Sequence, residues 1–288
     1  LTGYELSRTD LKGILNHLVS LNYAERAAMI GTSDKRAEII VAGGIILLDA
    51  MKMLEVESLV ICERALREGM IVDWMLSHGL IEDRLNFQSE VRQRSVLKVA
   101  QKYQVNLANA ERVASFTLSI FNQTKGQLHN WDTEERELLW AAAILHNCGV
   151  YISHSAHHKH SYYLIRHGEL LGFTEADIEV IANLARYHRK SPPKKKHENY
   201  NNLPSSTHRQ LVNQLSAILR LAVALDRRQI GAITQVHCEY KPQRKELQLK
   251  LVPAVPNDDC ALELWNLDYK KEVFEAEYEV KVKATLVD

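Results

Sequence analysis

Cysteine is scarce in this sequence of 288 residues, and its four cysteines form no CxxC pair. That spacing argues against a zinc knuckle or a redox motif, so we expect reduced and mostly buried thiols. Long apolar segments are also missing, because the longest run, from Ile39 to Leu48, contains two glycines and is too short to span a bilayer. No secretory signal is recognisable. These absences predict a cytoplasmic protein that does not enter a membrane.

An excess of charge of either sign is lacking as well. Lys and Arg total 36, Asp and Glu total 36, and the formal net charge is zero. A dedicated nucleic-acid binder usually has a basic surface, so this class is not expected, although a local basic patch is compatible with the balance. The proportions of hydrophobic residues (46%) and charged residues (25%) are typical of a globular protein.

The spacing of apolar residues divides the chain into three predicted domains. Residues 1–80 indicate a small α/β unit with a buried strand from Ser58 to Cys62, followed by a helix from Arg64 to Leu76. A single strand cannot form a sheet, so we expect its partners to come from another chain or from residues that are missing upstream of Leu1. Residues 81–230 have helical spacing throughout. The predicted class is therefore α+β, and mainly α.

Residues 231–288 change from helical spacing to a period of two, which is typical of an antiparallel sheet with one wet face. The clearest predicted strand runs from Phe274 to Leu286, with Glu and Lys on its exposed side. A helix over about residues 257–269 is expected to pack on the dry side. The sequence thus predicts a small β-rich C-terminal domain.

Histidines are concentrated in the middle of the chain, where seven of the thirteen fall between His146 and His188. Imidazole is the commonest metal ligand in proteins, and when protonated it also binds phosphate. The same residues can instead cap helix ends and satisfy polar groups in the core. Both interpretations remain open for this cluster.

A basic stretch follows the histidines, and we call it the basic loop. Its members are Arg186, Arg189, Lys190, Lys194, Lys195 and Lys196. Most charge runs are solvated surface. A dense line of cations can also bind a polyanion by releasing counterions, as nucleic-acid-binding surfaces do. We therefore include these residues among the candidate phosphate-binding groups.

Several motifs resemble the Ppx/GppA phosphatase family, which cleaves polyphosphate or guanosine pentaphosphate. The run Ala143-Ile-Leu-His146-Asn147-Cys-Gly149 is similar to the HD-domain signature, and two later runs that begin at His158 and Leu184 resemble matching parts of the family's HD-like domain. Runs that begin at Arg36 and Ala65 resemble the end of its actin-like (RNase H-like) phosphatase module. The resemblance implies a truncated actin-like subdomain, an HD-like helical domain and the β-rich domain, and it suggests a homodimer.

The HD-like pocket departs from the family's metal-binding pattern. The resemblance places in this pocket Asn109, His146, Asn147, His157, His158, His160 and His188. The metal-ligand positions match Asn109, His146-Asn147 and Val223, so the carboxylates that hold hard divalent cations are missing. We expect no metal here, with His146, His160 and His188 as weak candidates for a softer ion. No cofactor is expected in this chain, although the resemblance implies Mg²⁺ for the full-length enzyme.

The family's catalytic phosphate loop, Asp-x-Gly-Gly-Gly-Ser/Thr, has no counterpart in this sequence. Phosphoryl transfer depends on such positioning and charge neutralisation, so the catalytic residues are unknown and this chain alone is expected to be inactive. The resemblance assigns Gly43, Gly44, Arg67 and Glu68 to the phosphate-binding side of the cleft. Alternatively, Arg67 and Glu68 form an ion pair on a helix surface and do not bind phosphate.

Three functional hypotheses follow. The first is the C-terminal part of an exopolyphosphatase or guanosine pentaphosphate phosphohydrolase, with polyphosphate or the nucleotide as partner. The second is a non-catalytic regulatory protein that binds polyphosphate or a nucleotide. The third is a metal-dependent HD-domain phosphohydrolase. The sequence does not separate polyphosphate from guanosine pentaphosphate.

Overall fold

The computed structural model describes residues 3–61, 67, 70–71, 91–256 and 258–287. By its contacts the chain divides into two units, Leu1–Arg84 and Leu85–Asp288. The described residues are mainly helical, with one two-stranded and one three-stranded sheet, which confirms the α+β class. The domain boundaries at residues 80 and 230, and the actin-like and HD-like assignments, stay predictions.

The described residues of the smaller unit form helices and a short β-ribbon. Its elements in chain order are β1 (Glu5–Ser7), α1 (Arg8–Ser20), α2 (Tyr23–Ala27), α3 (Asp34–Met53) and β2 (Ser58–Val60). The Ser7 hydroxyl accepts a hydrogen bond from the Asp10 amide at 3.0 Å, which caps α1. Leu11, Leu15 and Met51 form a small buried cluster between α1 and α3.

Two expectations for the strand at Ser58 are wrong. Its partner is β1 of the same chain, with Glu5 opposite Val60 in an antiparallel pair. The strand ends at Val60, which is 61% exposed rather than buried. The length and the β-branched residues of this run are typical of a strand, but they do not indicate whether other elements pack on it. The predicted helix from Arg64 lies mostly outside the described residues.

The larger unit begins with a series of helices, as the helical spacing of residues 81–230 predicted. They are α4 (Val91–Lys102), α5 (Leu107–Thr124), α6 (Thr133–Leu145), α7 (His157–Arg166), α8 (Glu175–Tyr187), the short α9 (Glu198–Asn201) and α10 (Ser206–Leu225). Capping boxes at Asp132 and Thr174 begin α6 and α8. A 3₁₀ turn, Cys148–Tyr151, follows α6. The apolar faces of these helices form one buried core.

The C-terminal residues add three strands and two helices: β3 (Ile233–Lys241), β4 (Glu246–Pro253), α11 (Ala261–Lys270), α12 (Glu272–Tyr278) and β5 (Lys281–Leu286). The sheet order is β3-β4-β5. Strand β4 pairs antiparallel with β3 but parallel with β5, so the sheet is mixed rather than purely antiparallel. The buried side of this sheet belongs to the same core as the helices.

The predicted strand from Phe274 is wrong over its first half. Phe274 and Tyr278 lie on α12, and the strand begins only at Lys281. A spacing of four puts both rings on one face of a helix, where their centroids are 4.4 Å apart. The glutamates and alanine between them favour helix, and Glu279, with φ 53°, ends it. The apolar residues between Phe274 and Tyr278 fit a strand as well as a helix, so their spacing alone did not separate the two.

In the part of the chain that the structure describes, no helix is both long and apolar enough to cross a membrane.

Candidate functional site

A cavity of about 990 Å³ opens in the larger unit, between the C-terminal end of α8, the end of α10 and the side of α11. Its size falls in the range of ligand pockets in proteins. Four histidines line it, namely His146, His154, His157 and His188. Five cationic side chains and two carboxylates also line it: Arg189, Lys190, Arg220, Arg227 and Lys270 against Asp226 and Glu272. We call it the cationic cavity, since these groups leave a formal charge of +3.

Helix ends position the two deepest imidazoles. His146 follows α6 and His188 follows α8, and their Nδ1 atoms donate to the carbonyls of Ala143 and Ala185, each at 2.6 Å. These bonds fix the tautomer and leave each Nε2 without a proton when the ring is neutral. The two rings lie edge to face with centroids 5.0 Å apart. The sequence predicted this pair, and the structure brings it together.

His157 joins the pair from the start of α7. Its Nε2 lies 3.3 Å from Nε2 of His188, and the Arg189 guanidinium lies 2.9 Å from its Nδ1. Nδ1 of His157 also lies 3.1 Å from the carbonyl oxygen of His154, so the guanidinium of Arg189 and this carbonyl compete for the same ring nitrogen. Arg189, His157 and His188 thus lie in contact along the cavity wall.

A close contact between the 3₁₀ turn and α7 holds the histidines in place. The Ser161 hydroxyl donates to the carbonyl of His146 at 2.8 Å and accepts from the Gly149 amide at 2.9 Å. A side chain on Gly149 would overlap the backbone of α7, with its Cβ 2.2 Å from the carbonyl oxygen of His157. The glycine of the His-Asn-Cys-Gly run therefore permits the approach that places His157 beside His188.

Burial keeps these imidazoles neutral. It lowers the pKa of His146 to about 4, and it lowers the pKa of His188 well below its usual value, with the charge of His146 as the next cause. His158 is also buried, and burial followed by Arg189 lowers its pKa to about 4. At neutral pH the rings therefore act as hydrogen-bonding groups, and the positive charge of the cavity comes from Arg and Lys.

Asp226 also lines the cavity, although the motifs in the sequence did not point to it. It caps the end of α10 and is 2% exposed. Its Oδ2 accepts from Asn109 and from Arg112, both at 2.8 Å, and its Oδ1 accepts from the Gly231 amide at 3.0 Å. Both oxygens are committed to protein donors, so Asp226 contributes little negative charge to the cavity.

Lys270 and Arg220 were also missed, because each is a single cation within a helix. Arg220 is 4% exposed and donates to the carbonyls of Tyr187 and Lys190, which anchors the start of the basic loop. Burial, followed by repulsion from Arg220, Arg189 and Arg227, lowers the pKa of Lys270 to about 7. Among the described residues Lys270 forms no ion pair. The lowered pKa of Lys270 thus reflects its burial and its repulsion by the neighbouring arginines of the cavity.

The predicted HD-like residues are only partly brought together. Asn109, His146, Asn147, His157, His188 and Val223 line the cavity. His158 and His160 belong to the same helix α7 but do not line it, and Nδ1 of His158 is buried with no hydrogen-bond partner. No group of three or more His, Cys, Asp or Glu side chains that could hold a metal ion occurs in the described ranges.

The basic loop is split between two places. Arg189 and Lys190 line the cavity, while Arg186 lies over the rings of Tyr162 and Tyr187, 5.9 Å from each centroid. The remaining lysines, Lys194, Lys195 and Lys196, are exposed beyond the cavity. The basic loop therefore has two cations that line the cavity and three exposed lysines, the outer lysines, that do not.

Gly43 and Gly44 lie in the middle of α3, where backbone amides are used within the helix. A Cβ on Gly44 would come 2.7 Å from a methyl carbon of Leu15, so this glycine allows α1 and α3 to pack closely. That is a packing role, and phosphate binding by these glycines stays a prediction. Arg67 is exposed, and Glu68 lies outside the described residues.

Comparison with known proteins finds matches along most of the chain. Residues 91–271 match the description "Ppx/GppA phosphatase, domain III", and residues 1–78 match "Ppx/GppA phosphatase family". A protein of Vibrio cholerae named guanosine-5'-triphosphate,3'-diphosphate pyrophosphatase is 27% identical over 251 residues, which cover 85% of this chain and 46% of the relative. A protein of the same name from Pseudoalteromonas atlantica is 29% identical over 209 residues, covering 72% of this chain and 39% of the relative.

The chain thus spans about half the length of the curated relatives it matches. The two family matches occur in the order in which the two groups of motifs were found in the sequence, and together they cover most of it. The resemblance drawn from the motifs is confirmed: this chain belongs to the Ppx/GppA phosphatase family.

Proposed function

We propose that this chain is the C-terminal part of an exopolyphosphatase or guanosine pentaphosphate phosphohydrolase, and that its cationic cavity binds phosphate groups of the substrate. The excess of five cations over two carboxylates carries this proposal. A chain of net charge zero that gathers uncompensated cations in one cavity provides a local site for an anion. The relatives' names, which refer to a guanosine nucleotide, support a phosphorylated nucleotide as one such substrate.

The proposed role of the cavity is binding rather than bond cleavage. Its one buried carboxylate, Asp226, is held by Asn109, Arg112 and the Gly231 amide, and its deepest imidazoles bond to backbone carbonyls. Two-metal hydrolysis needs carboxylate ligands that these positions no longer provide. Cleavage is assigned to the family's Asp-x-Gly-Gly-Gly loop and Mg²⁺, so this chain alone should leave phosphoanhydride bonds intact. Homodimer assembly and a cytoplasmic location stay predictions.

A charge-removing variant at the centre of the cavity tests this function. We expect Lys270→Gln to weaken the binding of inorganic tripolyphosphate by about tenfold or more, because a charge-assisted contact contributes roughly 1.5–3 kcal/mol. Isothermal titration calorimetry at pH 6.5 with EDTA would measure the affinity, and phosphate release would be followed in parallel samples that contain Mg²⁺ in place of EDTA. Lys281→Gln, an exposed lysine on β5, removes the same charge elsewhere.

Equal affinity in the wild type, Lys270→Gln and Lys281→Gln would contradict phosphate binding in the cavity. Release of phosphate by the wild-type chain would contradict the assignment of cleavage to residues outside it. If that release also required a divalent metal and vanished in His146→Ala, the metal-dependent HD phosphohydrolase would replace our proposal.

The outer lysines of the basic loop give a separate prediction for long polyphosphate. Lys194, Lys195 and Lys196 are exposed and consecutive, so each that meets a phosphate should release about one counterion. We expect a variant with all three changed to Gln to bind long polyphosphate more weakly. The slope of log affinity against log salt should also be shallower, by about two to three.

The matched control carries Lys12→Gln, Lys35→Gln and Lys281→Gln, which removes the same charge at scattered exposed positions. Affinity would be measured across a salt series for the three proteins. If the loop variant and the scattered variant share one salt slope, the basic loop is ordinary solvated surface.

A further inference from the structure

Two aromatic side chains lie in the open at the edge of the cationic cavity. Trp265 is 64% exposed and Tyr269 is 73% exposed, and both line the cavity from helix α11. Their spacing of four puts them on one face of the helix. The ring planes differ by only 11°, with centroids 6.4 Å apart. Helix α11 thus presents parallel aromatic surfaces beside the cations.

The exposure of this pair is not explained by the packing of α11. The helix buries Glu263 and Leu267, which do not line the cavity, and its two aromatic residues are left exposed where they do. Trp and Tyr carry much apolar area together with a polar tip, which suits a surface that is covered when a flat ligand binds. A nucleobase is such a ligand, because every base has a face that stacks on an aromatic ring.

The pair is also correctly placed relative to the cations. Lys270 follows Tyr269 directly in sequence and lies five residues, or about 7.5 Å of helix rise, beyond Trp265. Arg189 and His188 line the same cavity from the end of α8. A ligand with a flat ring at one end and phosphates at the other can therefore occupy both regions at once.

We propose that the cationic cavity accepts a nucleoside polyphosphate, with the base against Trp265 and Tyr269 and the phosphates toward Lys270 and Arg189. This inference rests on the proposed function and makes it more specific, because a bare polyphosphate has no group that uses the aromatic pair. The cavity then distinguishes nucleotide from inorganic polyphosphate, while the outer lysines of the basic loop do not.

The test compares two probes with the same number of phosphates, GTP and inorganic tripolyphosphate, on the full chain with EDTA present. Stacking of a base contributes roughly 1–3 kcal/mol, so we expect GTP to bind about 5- to 150-fold more tightly than tripolyphosphate. Trp265→Ala combined with Tyr269→Ala should remove this preference and leave tripolyphosphate affinity unchanged. Trp265→Phe with Tyr269→Phe should retain much of it.

Two further variants separate the possible causes. Tyr163→Ala removes an exposed ring on α7 that does not line the cavity, and it should leave both affinities unchanged. Lys270→Gln should weaken both probes together. Equal affinity for GTP and tripolyphosphate in the wild type, or an equal loss of both in the double alanine variant, would overturn the inference and leave phosphate binding intact. If neither probe binds the wild-type chain, the proposed function itself fails.

Discussion

Replacing Gly149 by alanine is expected to destabilise the larger unit by about 3 kcal/mol or more. An added Cβ would lie 2.2 Å from the carbonyl oxygen of His157, 2.3 Å from the amide nitrogen of Ser161 and 2.8 Å from the carbonyl carbon of His160. All three are backbone atoms of α7, so no change of rotamer relieves the overlap. Either α7 moves away from the 3₁₀ turn or the turn opens.

Urea unfolding followed by circular dichroism would measure this effect as a lower midpoint for the larger unit. Val150→Ala, one residue further along the same turn, is the matched control, because Val150 is 43% exposed and its truncation should change stability by about 0.5 kcal/mol or less. A Gly149→Ala protein that unfolds at the wild-type midpoint would show that α7 can shift without cost. In that case the placement of His157 beside His188 would not depend on the glycine.

The helices of residues 91–225 could be predicted from the sequence because their apolar spacing is sustained over several turns. Capping boxes at Asp132 and Thr174 mark where α6 and α8 begin. The chain from Phe274 to Tyr278 could not be assigned in the same way, since five residues are too few to separate a period of two from a helical face. The burial of Phe274 in the core favours the helix there, and burial depends on the tertiary structure rather than on local sequence.

The candidate site was only half visible in the sequence. His146, His157 and His188 were found because they lie in short motifs with a recognisable spacing. Lys270, Trp265 and Asp226 come from other elements and carry no local pattern, because a single lysine or tryptophan on a helix usually marks a solvated or packing face. The match of the family's distal Asp to Val223 hid Asp226, which lies one turn further along at the end of α10.

The buried histidines predict that the larger unit loses stability on mild acidification. A base whose pKa is lower in the folded than in the unfolded chain binds fewer protons when folded, so protons favour unfolding between the two values. For His146 this window runs from about pH 6.5 in the unfolded chain to about pH 4 in the folded one. Stability should therefore fall as pH is lowered through this window, by up to about 3 kcal/mol for this ring alone.

His158, whose pKa is also lowered to about 4, and His188 act in the same direction, so the fall should exceed that of one histidine. Urea midpoints of the chain between pH 7 and pH 4.5 would give the slope of stability against pH. His146→Gln removes one buried proton acceptor and should make that slope shallower by about 1 kcal/mol per pH unit. His237→Gln, at an exposed position on β3, is the control that should keep the wild-type slope. An unchanged slope in His146→Gln would mean that this ring takes up its proton over the same pH range in the folded and the unfolded chain, which would contradict the lowered pKa of buried His146.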